Sequence, residues 1–251
     1  MKQIDLNADL GESFGRYTLG LDDRILPVIS SASIACGFHA ADPVVMQNTV
    51  RLAAEAGVSV GAHPGYPDLM GFGRRNMAVS PKEARAYILY QLGALEAFLR
   101  PAGLRMRHVK PHGAFYNMAA ADYELAAAIC GAVKDFDPEL AVLGLSGSCL
   151  IRAAEDMGLR AVSEVFADRA YEDDGSLVSR SKPGAMITDP RDAALRAVRM
   201  ATEGLVRTVS GKDIPIRAES ICVHGDGEKA VEFARTIRRE LEGSGIRVRA
   251  F

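Results

Sequence analysis

Two hydrophobic periods alternate along the chain. Short apolar runs with the two-residue repeat of a strand fall at residues 4–9, 33–37, 58–62, 107–111, 140–145, 160–165 and 219–224. Between them, longer helical patterns predict helices at about 42–56, 80–100, 119–134, 147–157, 190–207 and 226–242. The helix starts are chemically marked. Asp42-Pro43, Ser80-Pro81 and Asp189-Pro190 each place a capping side chain before proline at the first helical position. Ser80 and Glu83 have the spacing of a capping box, and Gly57 and Gly158 stand where C-terminal caps belong. Strands alternating with helices predict an α/β fold with a parallel sheet.

The polar positions choose between the parallel architectures. From Ile4 to Asp9 the apolar face is Ile4, Leu6 and Ala8, and the polar face is Asp5, Asn7 and Asp9, with Glu12 just beyond. Two carboxylates and an amide are an unusual wet face for a strand, where Thr, Lys and Ser are the usual mixture. The later strands also end in chemistry. His39 follows the second and His63 the third, while Lys110 and His112 end the fourth. Ser146 follows the fifth, Glu164, Asp168 and Arg169 surround the end of the sixth, and His224 and Asp226 end the seventh. An open doubly wound sheet gathers ligands at one switch point and does not need polar endings on every strand. A barrel brings all those ends to one mouth. The expectation is therefore a seven-stranded, TIM-like parallel β/α barrel, closed or nearly closed. No linker or repeat divides residues 1–251, so a single domain is expected. Asp5 would lie deepest in the barrel, tied into a structural network, with Asp9 and Glu12 near the mouth.

Composition narrows the function. The chain is 48% hydrophobic and 25% charged, as in ordinary globular proteins. A net charge of −2 gives no attraction for nucleic acid or an anionic membrane. No apolar run approaches the ~20 residues that cross a bilayer, and the start does not read as a secretory leader. The four cysteines form no C-x-x-C pair and read as buried thiols in a reducing cytoplasm.

Four of the five histidines sit at predicted strand ends, where they could serve as acid, base, ligand or clamp. His108 and His112 have an H-x-x-x-H spacing, but Pro111 argues against a helix interior. In a strand those positions are about 13 Å apart, too far to share an ion. Lys110 and His112 would share a strand face, with Lys110 as an anion clamp or simply a solvated lysine. The Gly- and Pro-rich stretches 61–68 and 70–75 read as an ordered loop over the mouth, from which Arg74 and Arg75 could reach an anion or form a surface turn. Residues 164–175 form a second long loop suited to a lid. No P-loop or G-x-G-x-x-G fingerprint is present. Gly144 to Ser148 resembles a nucleophile elbow, except that Ser148 stands where glycine is required. Its hydroxyls and glycines could instead bind an anion at a helix N-terminus. Asp9, His39 and His63 offer a donor set suited to Zn²⁺ or another transition metal, without diagnostic spacing.

DLNADLGESFG (5–15), SIACGFHAADP (33–43), GAHPGYPD (61–68), GFGRR (71–75), VKPHGAFYN (109–117), EVFADRAY (164–171) and the VHGD beginning at Val223 together resemble the LamB/YcsF family. The resemblance spans essentially the whole chain. Ala8 and Ala41 sit where relatives often carry Cys and Gly, and Phe115 where Leu is common. The family is identified as the A subunit of the prokaryotic 5-oxoprolinase, with a seven-stranded barrel related to glycoside hydrolases and deacetylases. The resemblance implies hydrolysis of the lactam of 5-oxo-L-proline to L-glutamate, with ATP (and Mg²⁺) as co-substrate and subunits B and C as partners. Among the barrel-mouth residues, Asp9, Glu12, His39, His63, Lys110 and His112 are the expected catalytic groups. Asn7, Arg74, Ser146, Glu164, Arg169, His224 and Asp226 would bind substrate or phosphate. Two other readings stay open: a metal-dependent deacetylase or carbohydrate hydrolase of the related barrel class, and a non-catalytic protein that presents the lactam.

Overall fold

A computed structural model of the chain describes residues 2–223 and 228–251. The His224 and Asp226 expectations lie outside those residues. The strands are β1 (Gln3–Leu10), β2 (Ser31–Ala35), β3 (Ser59–His63), β4 (Met106–Val109), β5 (Ala141–Leu145), β6 (Arg160–Phe166), β7 (Leu205–Arg207), β8 (Asp213–Pro215), β9 (Ser220–Val223) and β10 (Arg247–Val248). The helices are α1 (Asp22–Ile25), α2 (Pro43–Ala56), α3 (Pro81–Leu99), α4 (Gly113–Ala121), α5 (Tyr123–Phe136), α6 (Cys149–Asp156), α7 (Pro190–Glu203) and α8 (Glu228–Gly243).

Strands β1 to β6 pair in sequence, β6 pairs with β9, and β9 pairs with β1, all in parallel. The expected seven-stranded barrel is therefore closed. β10 adds to the start of β1, and β7 and β8 form a separate antiparallel hairpin. The outward residues Ile4, Leu6 and Ala8 are buried in the core that joins barrel to helices. No helix among the described residues is long and apolar enough to cross a membrane.

The caps act as their chemistry dictates. Asp42 accepts from the Val44 and Val45 amides, Asp189 accepts from those of Arg191 and Asp192, and Ser80 with Glu83 closes a capping box. Helix boundaries differ from expectation in two places. The helix expected from 119 is really α4 and α5, divided at Asp122, whose carboxylate caps α5 by accepting from Glu124 and Leu125. The helix expected to reach 207 ends at Glu203, because Gly204 turns left-handed at φ +68 and the chain enters the hairpin. The second strand begins at Ser31 rather than 33, since its inward serines disguised the start of the run. Ala41 adopts φ +70, the left-handed region where an alanine costs about 1 kcal/mol and a glycine almost nothing. The residue expected in relatives at that position thus has a backbone reason.

The barrel floor is a closed polar network. Asp5 accepts from the hydroxyls of Ser30 and Ser31, each at 2.6 Å, and from that of Ser220. Burial pushes the Asp5 carboxyl upward, against the lowering effect of those hydroxyls. Nearby, Ser33 Oγ and His108 Nε2 are 3.1 Å apart. Gly61 makes room for that ring, since a Cβ there would lie 2.3 Å from His108.

Candidate active site at the barrel mouth

A cavity of about 1380 Å³ opens over the C-terminal ends of the strands, with Asp9, Glu12, His63, Lys110 and His112 in its lining. The strand alternation that hides Asp5 in the floor raises Asn7 and Asp9 toward this cavity, two and four residues up the same strand.

Lys110 is the hub. Its ammonium lies 2.9 Å from Asp9 Oδ1, 2.8 Å from Glu164 Oε1, 3.1 Å from Asn7 Oδ1 and 3.2 Å from Cys222 Sγ. Burial alone would push Lys110 down, but Asp9 and Glu164 outweigh it and hold the amine well above its ordinary value. Asn7 donates to Glu164 Oε1 at 2.9 Å and to Ser220 Oγ at 2.8 Å. Tyr116, on α4, donates to Glu164 Oε2 at 2.7 Å. Burial, with Glu164 beside it, holds the Tyr116 phenol protonated well above its usual range. Burial likewise keeps Cys222 a thiol, despite the lowering influence of Lys110.

A second cluster joins Glu12 to three imidazoles. His63 Nδ1 donates to the Lys110 carbonyl at 2.7 Å, and His112 Nε2 donates to the Phe72 carbonyl at 2.8 Å. His112 Nδ1 and His63 Nε2 face each other at 3.0 Å. Glu12 Oε1 lies 3.4 Å from His112 Nδ1 and 3.1 Å from His39 Nε2. Asp9 Oδ2 is 3.3 Å from His63 Nε2, so Asp9 links this cluster to Lys110. Burial, reinforced by the neighbouring imidazoles, drives His39 well below its usual value and His112 down to about 3. Phe72 packs edge-on against both rings, and its backbone takes φ +54, which turns its carbonyl toward His112. Gly73 packs so closely that a Cβ would meet His39 at 2.7 Å and His112 at 2.8 Å.

The catalytic residues expected from sequence therefore converge, in two linked groups. Lys110 and His112 do not share a face. β4 ends at Val109, so Lys110 turns into the barrel while His112 precedes α4 and turns to His63. Two carboxylates already meet the Lys110 ammonium, which leaves anion binding to other groups. Arg74 lines the cavity with its guanidinium 4.9 Å from the centre of the Phe72 ring. Arg75 instead pairs with Asp68 and braces the loop. Ser146 lines the cavity and accepts from the Arg217 amide at 3.0 Å. Arg169 also lines it and donates to the Val178 carbonyl at 2.7 Å, which ties the loop after β6 together. His108 stays apart in the floor, as its spacing required. Sequence reasoning missed Tyr116, Cys222 and the Phe72 carbonyl. Tyr116 lies within the H-G-A-F-Y-N stretch but on a helix whose start was placed too late; a backbone carbonyl has no sequence signal.

The LamB/YcsF family profile matches residues 4–251. The chain belongs to the LamB/YcsF family. Among curated LamB/YcsF relatives, the 5-oxoprolinase A subunit of Clostridium beijerinckii is 60% identical over 99% of this chain and 97% of its own length. The protein of the same name from Thermococcus onnurineus is 57% identical over 98% of this chain and 96% of its own. The crystal structure of a lactam utilization protein from Thermus thermophilus superposes with a TM-score of 0.94 at 51% identity, covering 99% of this LamB/YcsF chain and 100% of that one. A family 4 carbohydrate esterase from Streptomyces lividans shares the barrel at a TM-score of 0.52 and 12% identity, over 98% of this chain and 91% of that one. That likeness concerns the fold alone.

Proposed function

We propose that this chain is the A subunit of an ATP-dependent 5-oxoprolinase, working with subunits B and C, and that the barrel mouth holds the lactam during ring opening. One observation carries the siting: Asp9 joins an ammonium and an imidazole–carboxylate cluster at the base of one cavity.

A five-membered lactam resists water because its C–N bond is resonance-stabilised and its amine leaves poorly. Transfer of the ATP γ-phosphoryl to the lactam oxygen makes the ring carbon electrophilic. Water adds to that carbon and loses a proton. The C–N bond then breaks, the nitrogen takes a proton, and an acyl phosphate remains. A second water releases phosphate and L-glutamate. The additions call for a base, and ring opening calls for an acid at nitrogen. Asp9 and Glu12 supply the carboxylates at the mouth. Lys110, held cationic, offsets negative charge developing nearby. Arg74 and Arg169 stand on the cavity wall where phosphoryl oxygens need cations.

The test is reconstitution. The chain mixed with subunits B and C releases ADP and L-glutamate from 5-oxo-L-proline and ATP, and Asp9→Asn lowers that rate at least ~100-fold. No release with the wild-type chain refutes the function. Wild-type turnover in Asp9→Asn refutes the siting and favours a chain that only presents the lactam.

A further inference from the structure

The facing imidazoles hold an inconsistency that a shared cation removes. A carbonyl oxygen cannot donate a hydrogen bond, so the Lys110 carbonyl fixes the proton of His63 on Nδ1. The Phe72 carbonyl in the same way fixes the proton of His112 on Nε2. The nitrogens turned inward, His63 Nε2 and His112 Nδ1, are therefore both bare lone pairs, pointed at one another across 3.0 Å. Glu12 Oε1 brings negative charge to the same gap, 3.4 Å from one nitrogen and 4.0 Å from the other. Three electron pairs converge on one point. Rings oriented by backbone carbonyls on their far nitrogens are the usual setting of metal-bound histidines.

We infer that Glu12 Oε1, His63 Nε2 and His112 Nδ1 form a binding site for one divalent transition-metal ion of the zinc class. Bonds of about 2.0–2.2 Å in a tetrahedral arrangement put ligand atoms about 3.3–3.5 Å apart, and the three separations here bracket that spacing. All three residues line the cavity, so the remaining position opens toward substrate, as in sites that keep a water.

His39 belongs to the cluster but not to the ligand set. Glu12, His39, His63 and His112 bring their donor atoms within 4.8 Å of one another. Yet the His39 and His112 rings are stacked, 3.7 Å between centres and 3° from parallel. An imidazole holds a metal close to its own ring plane, and two stacked planes cannot both contain one ion. His39 Nε2 instead hydrogen-bonds Glu12 Oε1 at 3.1 Å and aims the carboxylate. It is a positioning residue. The ligand set thus differs from the Asp9, His39 and His63 trio that the sequence offered. Asp9 Oδ2, beside His63, is placed to accept a proton from a water on the ion. A bound ion of this kind supplies an acidified water or polarises a carbonyl.

The inference does not depend on lactam chemistry, and neither does its test. The full chain, with any affinity tag removed, is stripped with chelator and titrated with Co²⁺. The expected result is one ion per chain with visible d–d absorption, displaced by Zn²⁺, and a rise in melting temperature with added Zn²⁺. Nitrogen-15 NMR of the wild-type chain reads the two bare nitrogens directly. Both resonances move with one equivalent of Zn²⁺, so the test survives a variant that fails to fold. His63→Ala and His112→Ala each abolish stoichiometric binding. His39→Ala keeps one ion per chain, with affinity lowered about tenfold. Absent cobalt bands together with unmoved nitrogen resonances overturn the site. Binding that persists in His112→Ala but vanishes in His39→Ala overturns the ligand assignment.

Discussion

The floor and the mouth of the barrel are built from the same inward face of the same strands, and they differ in what is left unsettled. In the floor, three hydroxyls donate to Asp5 and Ser33 meets His108. At the mouth, two imidazole lone pairs and a carboxylate point into one gap, and two carboxylates crowd one ammonium. In the floor the carboxylate and hydroxyls find partners, as buried polar atoms usually do, and His108 Nδ1 alone among these groups is left over. The mouth keeps like groups together at a cost in stability, which is where chemistry is expected. The lesson is that polar character inside a barrel does not mark the site; convergent groups of one sign do.

The contrast can be broken most forcefully at Lys110. Lys110→Met removes the cation shared by Asp9 and Glu164, whose side chains are 14% and 0% exposed. The expected loss is about 3–5 kcal/mol in denaturant titration, because buried carboxylates are left uncompensated. A loss below 1 kcal/mol would mean that the mouth is not under the strain described. Next comes the floor. Asp5→Ala removes the carboxylate to which three hydroxyls donate, although Ser30 keeps the Leu6 carbonyl at 3.2 Å, and is expected to cost about 2–3 kcal/mol. Metal stoichiometry at the mouth stays at one ion per chain, and a variant that folds yet loses the ion would join the two regions into one network.

A pH-dependent effect sharpens the floor alone. Burial, with a lesser push from Lys110, takes His108 from an ordinary 6.5 down to about 3. The unfolded chain therefore binds its proton first as pH falls. Stability conferred by neutral His108 is fully present above about 6.5 and drains away between there and about 3. Replacement by glutamine is expected to flatten acid unfolding by up to one proton, about 1.4 kcal/mol per pH unit within that window. Equal acid slopes in the two proteins would show that His108 is not buried neutral.

Much of this was legible in the sequence for a plain reason. Asp5, Asn7 and Asp9 alternate with Ile4, Leu6 and Ala8, and a period of two can place them only on opposite faces. His39, His63 and His112 announced themselves by residue type at strand ends. What stayed hidden depends on the third dimension. Ring stacking takes His39 out of the proposed ligand set, and a carbonyl on a left-handed Phe72 sets the tautomer of His112. The acidic partner of that imidazole, Glu12, was in view, but neither spacing nor composition could prefer it to Asp9.

Closure of the barrel by β9 against β1 also sets a clock. Asn7 is bonded to Ser220, 213 positions later in the chain. At ~5–20 residues per second, a ribosome needs about 10–40 s to make that interval. During this time the first strand lacks its final neighbour. The nascent protein therefore carries no finished pocket in which ligand or ion could be trapped early. Reactivity arrives late, with the last staves of the barrel.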